Sequence, residues 1–195
     1  MRLLSRCWTL ITLLALPLLP ASAAIAPKDL PVAVCVISPR VEPVEAVDGF
    51  RVVPTPTPRL VVLEPLLELR ILREGQPPWQ RSGSPSRPIL TPLDWPTTPI
   101  APGEFVLLQL RPRGAATGAF AHVQLAGGSE QRMRATEALL ARLGQDPAAW
   151  LEAFDRALEY GDVPLAWTLL FHPRAPRSGE LDGLRAEVIR RGCGS

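Results

Sequence analysis

Side chains that carry chemistry are scarce in this chain. It has two histidines, His122 and His172, and three cysteines, with no CxxC pair. A structural zinc site takes four ligands from cysteine and histidine, and here it would consume nearly all of them, so no metal is expected. No G-x-S-x-G is present, which removes the nucleophile elbow of the α/β-hydrolases. The segment GAATGAF (114–120) has two glycines but no Lys-Ser or Lys-Thr and no helical pattern after it. That excludes a phosphate loop, and no cofactor is expected.

Long apolar runs are missing too. CWTLITLLALPLL (7–19) has 13 residues, fewer than the roughly 20 that cross a bilayer. It follows Arg2 and Arg6 and precedes Ala21-Ser22-Ala23, a small-x-small pattern. Residues 1–23 therefore read as a signal peptide, with an exported chain beginning at Ala24 or Ile25. The expected location is periplasmic or secreted, with no membrane span after cleavage. Excess charge is also lacking. Removing Arg2 and Arg6 from 21 basic residues leaves 19 against 19 acidic ones. That balance excludes the basic footprint of a general nucleic-acid binder.

Two cysteines, Cys35 and Cys193, remain beyond residue 23. In an oxidising compartment the pair is expected to form a disulfide tying the first strand to the end of the last helix.

What the chain has is a change of composition near Gly127-Gly128. Seventeen of the 21 prolines beyond residue 23 precede it, among apolar runs of strand length. PVAVCVIS (31–38), FRVV (50–53) and RLVVL (59–63) are β-branched and bounded by turn residues. In LLELRIL (66–72), Leu67, Leu69 and Ile71 alternate with charge, and in AFAHVQL (119–125) Ala121, Val123 and Leu125 do the same. EFVLLQL (104–110) is nearly continuous and reads as covered on both faces. Pro92, Pro96 and Pro99 confine their segment to an edge or crossover. Pro102-Gly103 fits a type II turn into the strand that follows.

Beyond Gly128 the pattern is helical. Ser129, Asp146, Asp162 and Ser178 stand where N-caps belong, and Gly144, Gly161, Pro173 and Gly192 where helices stop. The expected fold is α+β: an N-terminal Ig-like antiparallel β-sandwich of about seven strands (24–128), followed by a small C-terminal α-helical region (129–195).

Trp95-Pro96 before Pro102-Gly103-Glu104-Phe105, with a helix pair carrying Gly161 and Trp167 near its junction, resembles a family of exported cyanobacterial proteins known only as a domain of unknown function. The resemblance implies a signal peptide, a proline-punctuated β domain and a helical tail. It implies no activity.

One polar segment stands out. WQRSGSPSRPILTPLDW (79–95) reads as a loop bracketed by Trp79 and Trp95, with Arg81 and Arg87 in it and no acid before Asp94. Exposed indoles beside guanidinium groups stack on sugars or grip an acidic peptide. Alternatively, both tryptophans belong to the core and the arginines are solvated on a hairpin. His122 lies out of phase with the apolar side of its strand and faces solvent. His172, at a helix end before proline, suits a cationic ring complementing the helix dipole. Carboxylate pairs such as Glu152 with Asp155 lie on solvated helix faces. No catalytic constellation is visible. The expected function is an exported, non-enzymatic module acting through contact with an envelope protein or glycan. The rival is a carbohydrate-binding or hydrolytic envelope protein.

Overall fold

A computed structural model of the chain describes residues 32–40 and 51–193. The expected signal peptide and its cleavage site lie outside the described residues. The element order is β1 (Val36–Ser38), β2 (Arg51–Val53), β3 (Val61–Val62), β4 (Leu66–Arg73), β5 (Trp79–Ser82), β6 (Phe105–Pro112) and β7 (Ala121–Gly127), then α1 (Glu130–Leu143), α2 (Pro147–Glu159), α3 (Val163–Phe171) and α4 (Gly179–Arg191). The α+β class and the C-terminal helical region are as expected. Among the described residues no helix is long and apolar enough to cross a membrane.

The strands form a five-stranded sheet, order β2-β7-β6-β4-β5, and a two-stranded sheet of β1 and β3. The larger sheet is mixed where an antiparallel one was expected, because β2 runs parallel to β7. Two such sheets do not establish an Ig-like sandwich. Trp79–Ser82, read from sequence as loop, is a strand that pairs antiparallel with β4.

Period-two alternation explains why there are two cores and how they are joined. In the two-stranded sheet, Val36 and Val62 join Leu69, Ile71, Val106, Leu108 and Leu110 of the larger sheet in one apolar cluster. Their neighbours Cys35, Ile37 and Val61 point the other way and join Leu140, Trp150, Phe154, Leu169 and Leu181 of the helices. The small sheet is thus a middle layer with apolar side chains on both faces. The far face of the large sheet stays polar, with Arg70, Gln109 and His122 along it. There Glu68, buried in β4, accepts from Arg70 Nε at 2.7 Å, Gln80 Nε2 at 2.9 Å and Arg111 Nε at 3.1 Å. Two guanidiniums and an amide satisfy a carboxylate that would be costly to bury alone.

The helices begin where their caps predict. The side chains of Ser129, Asp146, Asp162 and Ser178 each accept a hydrogen bond from a backbone N–H of the first turn. The Pro102-Gly103 turn forms as expected, with Gly103 at φ 72° and the Glu104 amide bonded to the Ala101 carbonyl at 3.0 Å. The proline-rich segment is a crossover. Leu93 exchanges backbone bonds of 2.8 Å with Leu60, and Ile89 is bonded to Leu66.

Cys35 and Cys193 are joined in a disulfide with Cα atoms 5.9 Å apart, closing a sequence separation of 158 residues. Arg40 Nη1 donates to the Gly192 carbonyl at 2.7 Å beside it. A Cβ at Gly192 would collide with the Ile37 side chain and the Val188 carbonyl. The end of α4 is therefore clasped to β1.

Candidate functional site

Two regions carry polar groups that the fold does not consume. The first is the β5 edge of the large sheet. Trp79 lies opposite Ile71 and Arg81 opposite Leu69, so both sit on the inner side of the sheet. The Gly83 amide bonds to the Leu67 carbonyl at 2.9 Å. By alternation, the backbone groups of Arg81 and Trp79 also face β4, while those of Gln80 and Ser82 face away. β5 ends the sheet, so among the described residues this outward row has no strand beside it.

The turn that follows is fixed. Ser84 and Arg87 exchange backbone bonds of 3.0 and 3.1 Å, and Arg113 Nη2 donates to the Pro85 carbonyl at 2.7 Å. A Cβ at Gly83 would stand 2.9 Å from the Arg87 carbonyl oxygen, so the strand must leave through a residue without one.

Of the four residues singled out by sequence, the tryptophans serve structure. Both are half-buried and pack on the sheet core. Trp95 Nε1 donates to the Thr98 carbonyl at 2.9 Å, and the Arg73 guanidinium lies 6.0 Å from its ring centroid. Arg81 and Arg87 are exposed. Neither has a hydrogen bond or ion pair from its side chain among the described residues. The structure brings Trp79 and Arg81 onto one strand face and leaves Trp95 in the crossover.

The second region was missed by sequence. A cleft of about 840 Å³ opens between β3, the Thr91-Pro92 turn and the helices α3 and α4. Val61, Leu63, Phe171 and Ile189 supply apolar walls, and Arg59, Arg177, Asp182 and Arg185 stand around them. Arg185 is fixed in place, donating from Nε to the Leu170 carbonyl at 2.8 Å and from Nη1 to Asp182 at 2.6 Å. Arg177 shares the same Asp182 oxygen at 3.1 Å. Arg59 pairs through Nε with Asp94 at 2.9 Å.

His172 lines this cleft and is not the cationic cap expected for it. Its ring is buried and stacks on Trp150, with centroids 5.9 Å apart. Burial, reinforced by Arg174 and then Arg59 and opposed by Asp94, pushes its pKa down to about 4. The imidazole is neutral at pH 7. Its Nδ1 accepts from the Arg174 amide at 3.2 Å, so Nε2 carries the hydrogen. His122, by contrast, is exposed as expected, with its Nε2 3.2 Å from Gln109 Nε2.

No family model, curated protein or solved structure matches this chain.

Sequence held one signal for the cleft, the Phe171-His172-Pro173 helix end. The rest assembles from Arg59, Asp94 and Asp182, which no local pattern connects.

Proposed function

We propose that the protein is an exported, non-enzymatic module that holds an extended, acidic segment of a partner protein along β5. One observation carries this reading. Among the described residues β5 ends its sheet with an open backbone edge, and beside it stand Arg81 and Arg87, exposed and without partners. A strand added there takes the outward backbone groups of Gln80 and Ser82, and its acids meet the guanidiniums. The fixed Ser84–Arg87 turn spares the partner part of the ordering cost. Export is part of this reading, carried by the basic, apolar and small-residue order of residues 1–23 and by a disulfide that suits an oxidising compartment.

A non-enzymatic role is favoured by how the acids are engaged. Glu68, Asp94, Glu104 and Asp182 each pair with arginine, and Thr91 Oγ1 is occupied by both backbone groups of Val62. Each of these groups is held by structure. None is poised as a base or nucleophile.

Capture from an envelope extract tests the proposal with wild type, Ser82→Pro and the Arg81→Ala/Arg87→Ala pair. Proline at 82 removes an outward N–H that the fold does not use. A partner lost by both variants at unchanged melting temperature supports the edge. A partner retained by both, or none captured by wild type, overturns it.

A further inference from the structure

The cleft between β3 and α3–α4 has no part in the edge contact, and its chemistry is of a different kind. We propose that it binds a small amphiphile with a single carboxylate head, held between Arg59 and the Nε2–H of His172, with the apolar body lying on Val61, Phe171 and Ile189.

Size comes first. A volume of about 840 Å³ falls within the range of small-molecule sites, roughly 300–1,000 Å³. The sign of the ligand follows from the lining, where three arginines face one acid, Asp182. That acid is already shared by Arg177 and Arg185, so a cation would meet no free carboxylate there.

The number of charges follows from which donors remain. Arg185 is engaged at Nε by the Leu170 carbonyl and at its terminal nitrogens by Asp182 and the Pro176 carbonyl. It is a strut. Arg59 Nε stands 2.9 Å from Asp94 as an ion pair without hydrogen-bond alignment, and its two terminal nitrogens have no partner among the described residues. His172 adds a second donor. With Nδ1 occupied by the Arg174 amide, its Nε2–H has no protein acceptor among the described residues. Arg177 is held on Asp182 through Nη1 and its side chain is 84% exposed, so it contributes least to fixing a head group. One guanidinium fork and one neutral N–H suit one carboxylate. Holding His172 neutral also matters, because an imidazolium would add a second fixed cation and draw in dianions. Trp150 behind the ring, its own Nε1 tied to the Gly144 carbonyl at 3.1 Å, sets the imidazole plane.

The probes are decanoate, decanol and decylammonium, each titrated calorimetrically below its aggregation concentration into the full chain. Wild type is compared with Arg59→Gln, Ala186→Trp and the Arg81→Ala/Arg87→Ala pair. Ala186 is an exposed α4 residue lining the cleft, so tryptophan there obstructs it without removing charge. Decanoate is expected to saturate one site, decanol to bind at least about ten-fold more weakly, and decylammonium not to saturate. Arg59→Gln and Ala186→Trp should each weaken decanoate at least about ten-fold, while the Arg81/Arg87 pair leaves it unchanged. Nitrogen NMR of His172 should show its pKa rising when decanoate is bound, a readout that holds even if Arg59→Gln folds poorly. Equal affinity for decanol and decanoate, no saturable site, or a His172 that does not respond would overturn the proposal. Decanoate binding lost in the Arg81/Arg87 pair would also overturn it, by moving the ligand to the sheet edge.

Discussion

The β5 edge and the helical side use the same residue in opposite ways. All but Lys28 of the 21 basic residues are arginine. Around the helices, Arg132, Arg174, Arg177 and Arg185 each reach a carboxylate from another turn or another element. At the sheet edge the side chains of Arg81 and Arg87 reach no partner among the described residues. Guanidinium forks placed within reach of acids and carbonyls tie turns and elements together, because five fixed donors can satisfy several carbonyls and carboxylates at once. Exposed forks without acids nearby add little to stability and remain available to a partner. The difference separates residues that hold the fold from residues that meet the outside.

The sharpest way to break the helical side is to cut its clasp. Cys193→Ser opens a loop whose ends are 158 residues apart in sequence. The chain-entropy argument assigns such a closure about 5 kcal/mol. Urea unfolding with and without a reductant should show that loss for wild type and no reductant effect for the variant.

A smaller effect is expected from the buried imidazole. His172 is neutral in the fold, with a pKa near 4, and returns to its ordinary 6.5 when unfolded. The unfolded chain therefore takes up the proton first. The stability His172 contributes is whole above about pH 6.5 and is lost as pH falls toward 4, by about 3 kcal/mol. Stability of wild type relative to His172→Phe should fall by that order between pH 7 and pH 4. Equal slopes for wild type and His172→Phe would show the ring to be solvated.

These side chains also mark what could be read in advance. The helix starts were legible because a cap is local: Ser129, Asp146, Asp162 and Ser178 bond within three residues of themselves. Alternation gave β4 and β7 for the same reason. The direction of β2 was not legible, since three residues carry no pattern that distinguishes parallel from antiparallel pairing. Nor was the double role of β1. PVAVCVIS reads simply as an apolar strand, and only the packing divides Val36 from Cys35 and Ile37. Trp79–Ser82 was read as loop because three of its four residues are polar. An edge strand with one exposed face tolerates that composition. At the candidate site, the exposure of Arg81 and Arg87 followed from composition, while the cleft required contacts as distant as Arg59 with Asp94.

The hinge between the two compositions offers a further contrast. A Cβ at Gly127 would collide with the Ala101 carbonyl, and the Gly128 amide bonds to the Val53 carbonyl at 2.9 Å. Gly127→Ala should cost about 1–3 kcal/mol in chemical unfolding through forced backbone movement. Gly114→Ala is a weaker control, since nothing lies within 4 Å of its Cβ and only its φ of 93° is strained.

The smallest effect is expected at the edge itself. Arg81→Ala/Arg87→Ala should change stability by no more than about 0.5 kcal/mol, seen as coincident melting curves. A larger loss would mean that these arginines belong with the struts of the helical side.

Residue-resolved amide exchange in the free protein tests the open edge most directly. The amides of Arg81 and Gly83, bonded to β4, should be protected, and those of Gln80 and Ser82 should exchange like solvent-exposed backbone. Alternating protection along these four residues is the result predicted. Uniform protection of all four would mean that the edge is already covered and that β5 is not where a partner strand is received.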